Sequence, residues 1–188
     1  MPVFRRGALS FDRLSVAVLC VSLGLLMGCG CAAAPADLDS YRQRVRERYP
    51  TVRQISTAAL AGWLSDSNRP PPMLLDAREE VEYRVSHLKD ARLVRKADRA
   101  QGAAGSLPAQ TPIVVYCSVG ARSSEFALEL QKAGHTNVFN LDGSIFQWAN
   151  EGRPVFSGSN VVTRVHPYDR KWGRFLKKEL HAETPPAK

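Results

Sequence analysis

The residues with the clearest chemical potential are clustered in one stretch, Val114-Val115-Tyr116-Cys117-Ser118-Val119-Gly120-Ala121-Arg122-Ser123-Ser124. An apolar strand runs directly into a cysteine, then a tight loop, then a helix. That order puts the thiol at the carboxyl edge of a parallel sheet, where open α/β proteins bind ligands. It also puts the thiol beside a helix N-terminus. Loop N–H groups and the positive end of the helix would stabilise a thiolate or a bound anion, and Arg122 adds a full positive charge. A cysteine that normally titrates near ~8.5 then drops by about one unit or more, which makes it a working nucleophile near neutral pH. Gly120 gives the loop the backbone freedom to curl around the sulfur. A structural cysteine buried in a β-α turn is the competing reading, since free cysteines are commonly buried.

The elements that must hold this loop follow from the pattern on either side of it. Pro112-Ile-Val-Val-Tyr116 is the clearest strand, and Arg122 to Ala133 reads as a helix with Phe126, Leu128 and Leu130 apolar and Gly134 as its stop. Val52 to Ile55 reads as a strand, with Ser56 or Thr57 capping a helix whose apolar face lies in Ala58 to Leu64. Pro70-Pro71-Pro72 ends that unit, and Met73-Leu74-Leu75 reads as a buried strand closing on Asp76. Glu79 to Arg84 suits a short helix, Arg92-Leu93-Val94 a strand, 101–110 a Gly/Ala loop and Val138-Phe139-Asn140 a further strand. Strands alternating with helices imply an α/β fold with a mainly parallel central sheet flanked by helices. The 188 residues, 44% hydrophobic and 23% charged, suit one such domain and exclude a chain disordered throughout.

Taken together, Cys117-x-x-Gly120-x-Arg122-Ser123 after a strand resembles the active loop of the rhodanese family of sulfurtransferases. Leu74-Leu75-Asp76-Ala77-Arg78-Glu79 is similar to that family's first signature, and Ser86-His87-Leu88-Lys89-Asp90-Ala91 to the His segment that follows. Leu141-Asp142-Gly143-Ser144-Ile145-Phe146-Gln147-Trp148 with Gly152-Arg153-Pro154-Val155 resembles its closing motifs. Ser86, Asp90 and Ser144 stand where the family carries glycine, which changes loop geometry. The resemblance implies a rhodanese-like domain over 52–157 and a double displacement that needs neither metal nor cofactor. Cys117 takes a sulfane sulfur from a donor as a persulfide and passes it to a thiol or to cyanide.

The implied site has Cys117 and Arg122 in the catalytic role, with the backbone amides of Ser118, Val119, Gly120, Ala121 and Arg122 cradling substrate. Asp76, Arg78 and His87 support it, the first two as a brace and the His as a packing residue or an acid/base. Ser118 occupies the place where thiosulfate-preferring members carry a basic residue, which weakens the case for thiosulfate and leaves polysulfide, glutathione persulfide or a protein persulfide open as donors.

Rival chemistries use related loops. Phosphatases sharing this fold, and arsenate reductases on the same scaffold, place the Arg one position further from the Cys than Arg122 stands from Cys117. The shorter loop suits a single sulfur. A non-catalytic interaction module is the alternative from a different class; such modules often lose the Cys that this chain keeps.

The flanks carry addresses and charge. Residues 1–28 combine Arg5, Arg6 and Arg13 with the 14-residue uncharged run Leu14 to Met27. A span needs ~20 apolar residues, so the segment reads as a signal peptide. Its end, Leu26-Met27-Gly28-Cys29, resembles the lipobox of bacterial lipoproteins, which implies lipidation of Cys29, export, and anchoring to a bacterial membrane, with the outer membrane favoured. Cleavage after Ala34 or Ala36 and soluble export is the other reading. Cys29-Gly30-Cys31 has no second ligand pair, so no metal site is expected.

Residues 29–51 read as a tether and a basic segment, Tyr41 to Tyr49, forming a short solvated helix or one lying near anionic head groups. Residues 158–188 form a basic extension in which Trp172, Phe175, Leu176 and Leu180 fall at helical spacing, predicting an amphipathic helix that packs on the domain or docks a protein partner or a membrane surface. The net charge of +8 resolves accordingly. Residues 54–157 hold 11 basic and 11 acidic side chains, while 1–28 and 29–53 carry +2 each and 158–188 carry +4. A nucleic-acid partner therefore finds no support in the domain itself.

Overall fold

A computed structural model describes residues 37–95 and 107–183. Strands β1 (Arg53–Ile55), β2 (Met73–Asp76), β3 (Arg92–Leu93), β4 (Ile113–Tyr116) and β5 (Val138–Leu141) form one sheet in the order β1-β5-β4-β2-β3, parallel at every pairing. The central strand β4 is buried along its whole length, which is why it reads as an unbroken apolar run and not as an alternating one. Its two faces feed separate cores. Val114 packs with Leu60, Trp63, Leu74 and Phe146 on one side, while Ile113 and Val115 pack with Leu75, Phe126, Ala127 and Leu130 on the other. The chain is α/β with a mainly parallel sheet, as its alternating pattern predicts.

Helix α1 (Leu38–Arg48) precedes the sheet, and α2 (Thr57–Ser65) follows β1 with Ser56 as N-cap, its hydroxyl accepting the Ala59 N–H at 3.1 Å. Helix α3 (Glu80–Val85) follows β2, and α4 (Ala121–Lys132) follows β4. Phe126, Ala127 and Leu130 supply the buried face of α4, Leu128 is half-buried, and Gly134 ends the unit with φ +99°. Helix α5 (Ser144–Asn150) follows β5 and leads into the antiparallel hairpin of β6 (Val155–Ser157) and β7 (Asn160–Val162). Register matters for the site: Asp76 lies opposite Tyr116, so β2 and β4 end level and deliver their following loops to the same sheet edge.

Two flanking segments differ from expectation. Helix α1 is not a solvated helix. Leu38 and Val45 are buried, Tyr41 packs against the core, and Arg42 and Arg46 both reach the Asp142 carboxylate, Arg42 at 2.6 Å. Two of the basic residues that suggest a solvent-exposed or head-group-facing helix, Arg42 and Arg46, instead converge on one acid of the closing motif.

The C-terminal basic amphipathic helix is likewise absent as a single element. In its place are a four-residue helix, α6 (Arg170–Gly173), and a 3-10 turn at Lys178–Leu180. Tertiary packing overrides the periodicity. Val165, Phe175 and Leu176 are buried, and Val165 exchanges backbone bonds with Leu180 and Ala182. Gly173 packs so near Pro167 that a Cβ there would meet it at 3.0 Å. The segment packs on the domain, which is the first of the two roles its pattern allows.

The expected signal peptide 1–28, the lipidation candidate Cys29, and residues 101–106 of the Gly/Ala loop lie outside the described residues. Among the described residues no helix is long and apolar enough to cross a membrane.

Candidate active site

The loop between β4 and α4 turns tightly enough that the Gly120 N–H donates to Cys117 Sγ, three residues back, at 3.1 Å. Gly120 does this with φ +111°, a conformation open to glycine and rarely to L side chains. The Ser123 hydroxyl, on the first turn of α4, stands 3.4 Å from Sγ and also contacts Asn140 Oδ1 at 2.6 Å. Burial pushes the thiol up, but the Arg122 charge, the Ser123 hydroxyl and the Ser123 and Gly120 N–H groups outweigh it. The net effect holds Cys117 below the ordinary thiol value.

Of the amides expected to form the cradle, that of Gly120 is aimed at sulfur, joined by that of Ser123, one residue beyond the expected stretch. The Ser118 side chain points elsewhere: its Oγ donates to Glu82 Oε1 at 2.8 Å and accepts from Arg122 Nη2 at 3.0 Å. Arg122 acts on the sulfur through its charge. Its guanidinium makes a two-pronged pair with Glu82, at 2.8 and 2.9 Å, and lies 4.8 Å from the Tyr168 ring centroid. Glu82 is buried; that alone would raise its pKa, but the bonds from Arg122 hold it below the usual carboxylate range. Val119 and Ala121 line the space above the sulfur.

Asp76 and Arg78 sit beneath this loop as a fully buried pair, Arg78 Nη2 to Asp76 Oδ2 at 2.7 Å. Arg78 Nη2 also donates to the Ser86 carbonyl, fixing the segment after α3. The Tyr116 hydroxyl, one residue before Cys117, accepts the Leu88 N–H at 3.1 Å. The brace thus runs from β2 through the His segment to the residue that precedes the nucleophile. His87 does not line the cavity at Cys117; it stacks on Tyr83 with 4.0 Å between ring centroids and holds Nδ1 3.0 Å from the Tyr83 carbonyl. Its contacts are those of a packing histidine.

Several site residues escape sequence reasoning. Glu82 arrives from α3, where its sequence signal is the capping box in which it also accepts the Glu79 N–H at 3.0 Å. Ser144 accepts the Cys117 N–H at 3.1 Å and donates to the Leu141 carbonyl. Its φ of 55°, like the 59° of Asp90, explains why the family pattern has glycine at both places. Tyr41 from α1, with Tyr168 and Trp172 from the C-terminal segment, walls a cavity of about 220 Å³ onto which Cys117 opens. Burial and the nearby Cys117 push the Tyr41 phenol up to about 12, so that wall is uncharged at neutral pH.

Comparisons with known proteins agree with this architecture. The rhodanese-like domain family matches residues 57–151. The chain is 35% identical over 102 residues to a probable adenylyltransferase/sulfurtransferase, MoeZ, of Mycobacterium tuberculosis, covering 53% of this chain and 25% of that one. It is 30% identical over 104 residues to a sulfurtransferase of Allochromatium vinosum, covering 55% of this chain and 94% of the relative. The chain thus spans a quarter of the first relative's length and nearly all of the second's. Among solved structures, the rhodanese-like domain of the Alr3790 protein from Anabaena superposes with a TM-score of 0.50 at 26% identity, covering 60% of this chain and 93% of that one. A parallel sheet that delivers a cysteine into a short loop whose N–H groups point at its sulfur, together with these matches, leads to one conclusion: the chain belongs to the rhodanese-like domain family.

Proposed function

We propose that this protein is a sulfurtransferase that carries a sulfane sulfur as a persulfide on Cys117. The observation that carries the reading is the Gly120 N–H at 3.1 Å from Sγ inside a loop closed by Arg122 and Glu82. The Cys117 thiolate attacks the outer sulfur of a donor R–S–S⁻, the donor's S–S bond breaks, and R–S⁻ leaves with the electron pair. The resulting Cys117–S–S⁻ keeps the negative charge, which the loop donors and Arg122 stabilise as an oxyanion hole stabilises oxygen. A thiolate or cyanide then attacks the outer sulfur and regenerates the Cys117 thiolate.

The donor follows from charge. Ser118 adds no cation, and Arg122 is already matched by Glu82, so an organic persulfide, which carries one negative charge, fits better than dianionic thiosulfate. Thiocyanate formation from each donor and cyanide tests the reading, with Cys117→Ser as control. Turnover that persists in Cys117→Ser, or hydrolysis of an aryl phosphate at comparable rate, overturns it.

The same proposal places the enzyme outside the cytoplasm, anchored through lipidated Cys29 after removal of 1–28, with no nucleic-acid partner. Supporting it are the basic start, the short apolar run and the Leu26 to Cys29 motif. Labelled fatty acid incorporation into the wild type but not Cys29→Ala is the expected result; equal release of both into the soluble fraction contradicts it.

A further inference from the structure

The cavity above Cys117 is closed by residues that the matched family region, 57–151, does not contain. Tyr41 comes from before that region, and Tyr168 and Trp172 from after it. The two flanks grip each other at this point. The Tyr41 ring meets Trp172 edge-on at 5.0 Å between centroids and stacks on Phe175 at 5.7 Å. On one side the arrangement is anchored by Arg42 and Asp142, on the other by buried Phe175 and Leu176.

Tyr168 is the most informative of the three. It holds φ 68°, a region that bulky L side chains rarely adopt, and it is 44% exposed, so burial does not account for the conformation. What the conformation achieves is to set the ring at 4.8 Å from the Arg122 guanidinium, on the wall of the Cys117 cavity.

Resting on the sulfurtransferase reading above, we infer that Tyr41, Tyr168 and Trp172 form an aromatic rim that selects the sulfur carrier. The carrier it fits is an organic sulfane compound of single negative charge bearing a flat apolar group. Charge and size both support this. Arg122 already has Glu82 as its counter-charge, so a second negative charge on the donor finds no new partner there. A cavity of roughly 150 Å³ accommodates benzene, so the about 220 Å³ here holds a phenyl group with a terminal sulfur directed at Sγ. A ring in contact with these walls gains about three- to tenfold in affinity over one methyl group.

The test uses the full chain with cyanide as acceptor and three donors: benzenethiosulfonate, methanethiosulfonate and thiosulfate. With the thiosulfonates, the Cys117 thiolate takes the outer sulfur, the S–S bond breaks, and the sulfinate leaves with the electron pair. Cyanide then removes the sulfur as thiocyanate, and rates are corrected for Cys117→Ser. The expected result is a kcat/KM about tenfold higher for the phenyl than for the methyl donor, expressed in KM, with thiosulfate poorest. Tyr168→Gly removes the ring at a position whose backbone suits glycine, and reduces the phenyl-to-methyl ratio at least threefold, as does Trp172→Ala; Tyr168→Phe keeps the ratio. A wild-type ratio near one, or a ratio unchanged in Tyr168→Gly, overturns the rim while leaving sulfur transfer intact. Absence of thiocyanate from all three donors overturns the sulfurtransferase reading itself.

Discussion

Glu82 and Arg122, 40 residues apart in sequence, meet in a two-pronged ion pair at 2.8 and 2.9 Å that closes the nucleophile loop from the side of α3. The pair does two things at once. It fixes the loop's geometry, with Ser118 Oγ bonded to both partners, and it offsets the charge that Arg122 would otherwise present to a donor.

Neutralising the acid separates these effects. Glu82→Gln keeps the side chain's size and one of its two acceptor oxygens but leaves the Arg122 charge unmatched, so the Cys117 thiol shifts further down and the KM for thiosulfate falls several-fold. Ultraviolet titration of the thiolate and donor kinetics check this. Glu82→Ala removes both partners' acceptor and destabilises the fold by about 2 kcal/mol, below the range for fully buried pairs because Arg122 keeps solvent access.

Removing a sulfur ligand moves the thiol in the opposite direction. Burial alone raises Cys117, and the Arg122 charge and Ser123 hydroxyl bring it below its ordinary value. Ser123→Ala should therefore shift the alkaline-rising limb of the rate profile to higher pH, and Arg122→Ala further still. A profile unchanged in both variants contradicts the assignment of thiolate stabilisation to these groups.

How much of this could be read from sequence depends on how local each feature is. The β4–Cys117–α4 arrangement was legible because an apolar run, a glycine and a helix start are contiguous, and the parallel sheet followed from alternation. Asp76 and Arg78 were visible as a motif, and the structure supplies their pairing. Glu82, Ser144, Tyr41, Tyr168 and Trp172 reach the site only through chain reversals that no spacing rule encodes. The tail misled for a related reason. Trp172, Phe175, Leu176 and Leu180 have helical spacing, yet each is held by its own contact with the domain, so the backbone follows the docking surface and not a helix.

Ser144 distinguishes a hydrogen bond from a backbone requirement. Its φ of 55° favours glycine, while its Oγ accepts the Cys117 N–H. Ser144→Ala keeps the strained conformation and loses the bond, costing about 1–2 kcal/mol; Ser144→Gly loses the bond but relieves the strain, so it is less destabilising by roughly 1 kcal/mol. Urea denaturation of the two variants checks the order.

Acid should loosen the docking of α1. Burial raises Asp142, but hydrogen bonds from Arg42 and Arg46 hold it below its ordinary value of 3.8. The stability this contributes is fully present above that value and is lost as pH falls through the lower folded value. Asp142→Asn removes the dependence, which a comparison of melting temperature against pH in both proteins would show.

The most direct test of the account is the intact mass of the full chain after exposure to polysulfide and removal of excess donor. The prediction is a gain of one sulfur atom located on Cys117, discharged by cyanide as thiocyanate and absent from Cys117→Ser. A chain whose Cys117 gains no sulfur from polysulfide, thiosulfate or an organic thiosulfonate would contradict it.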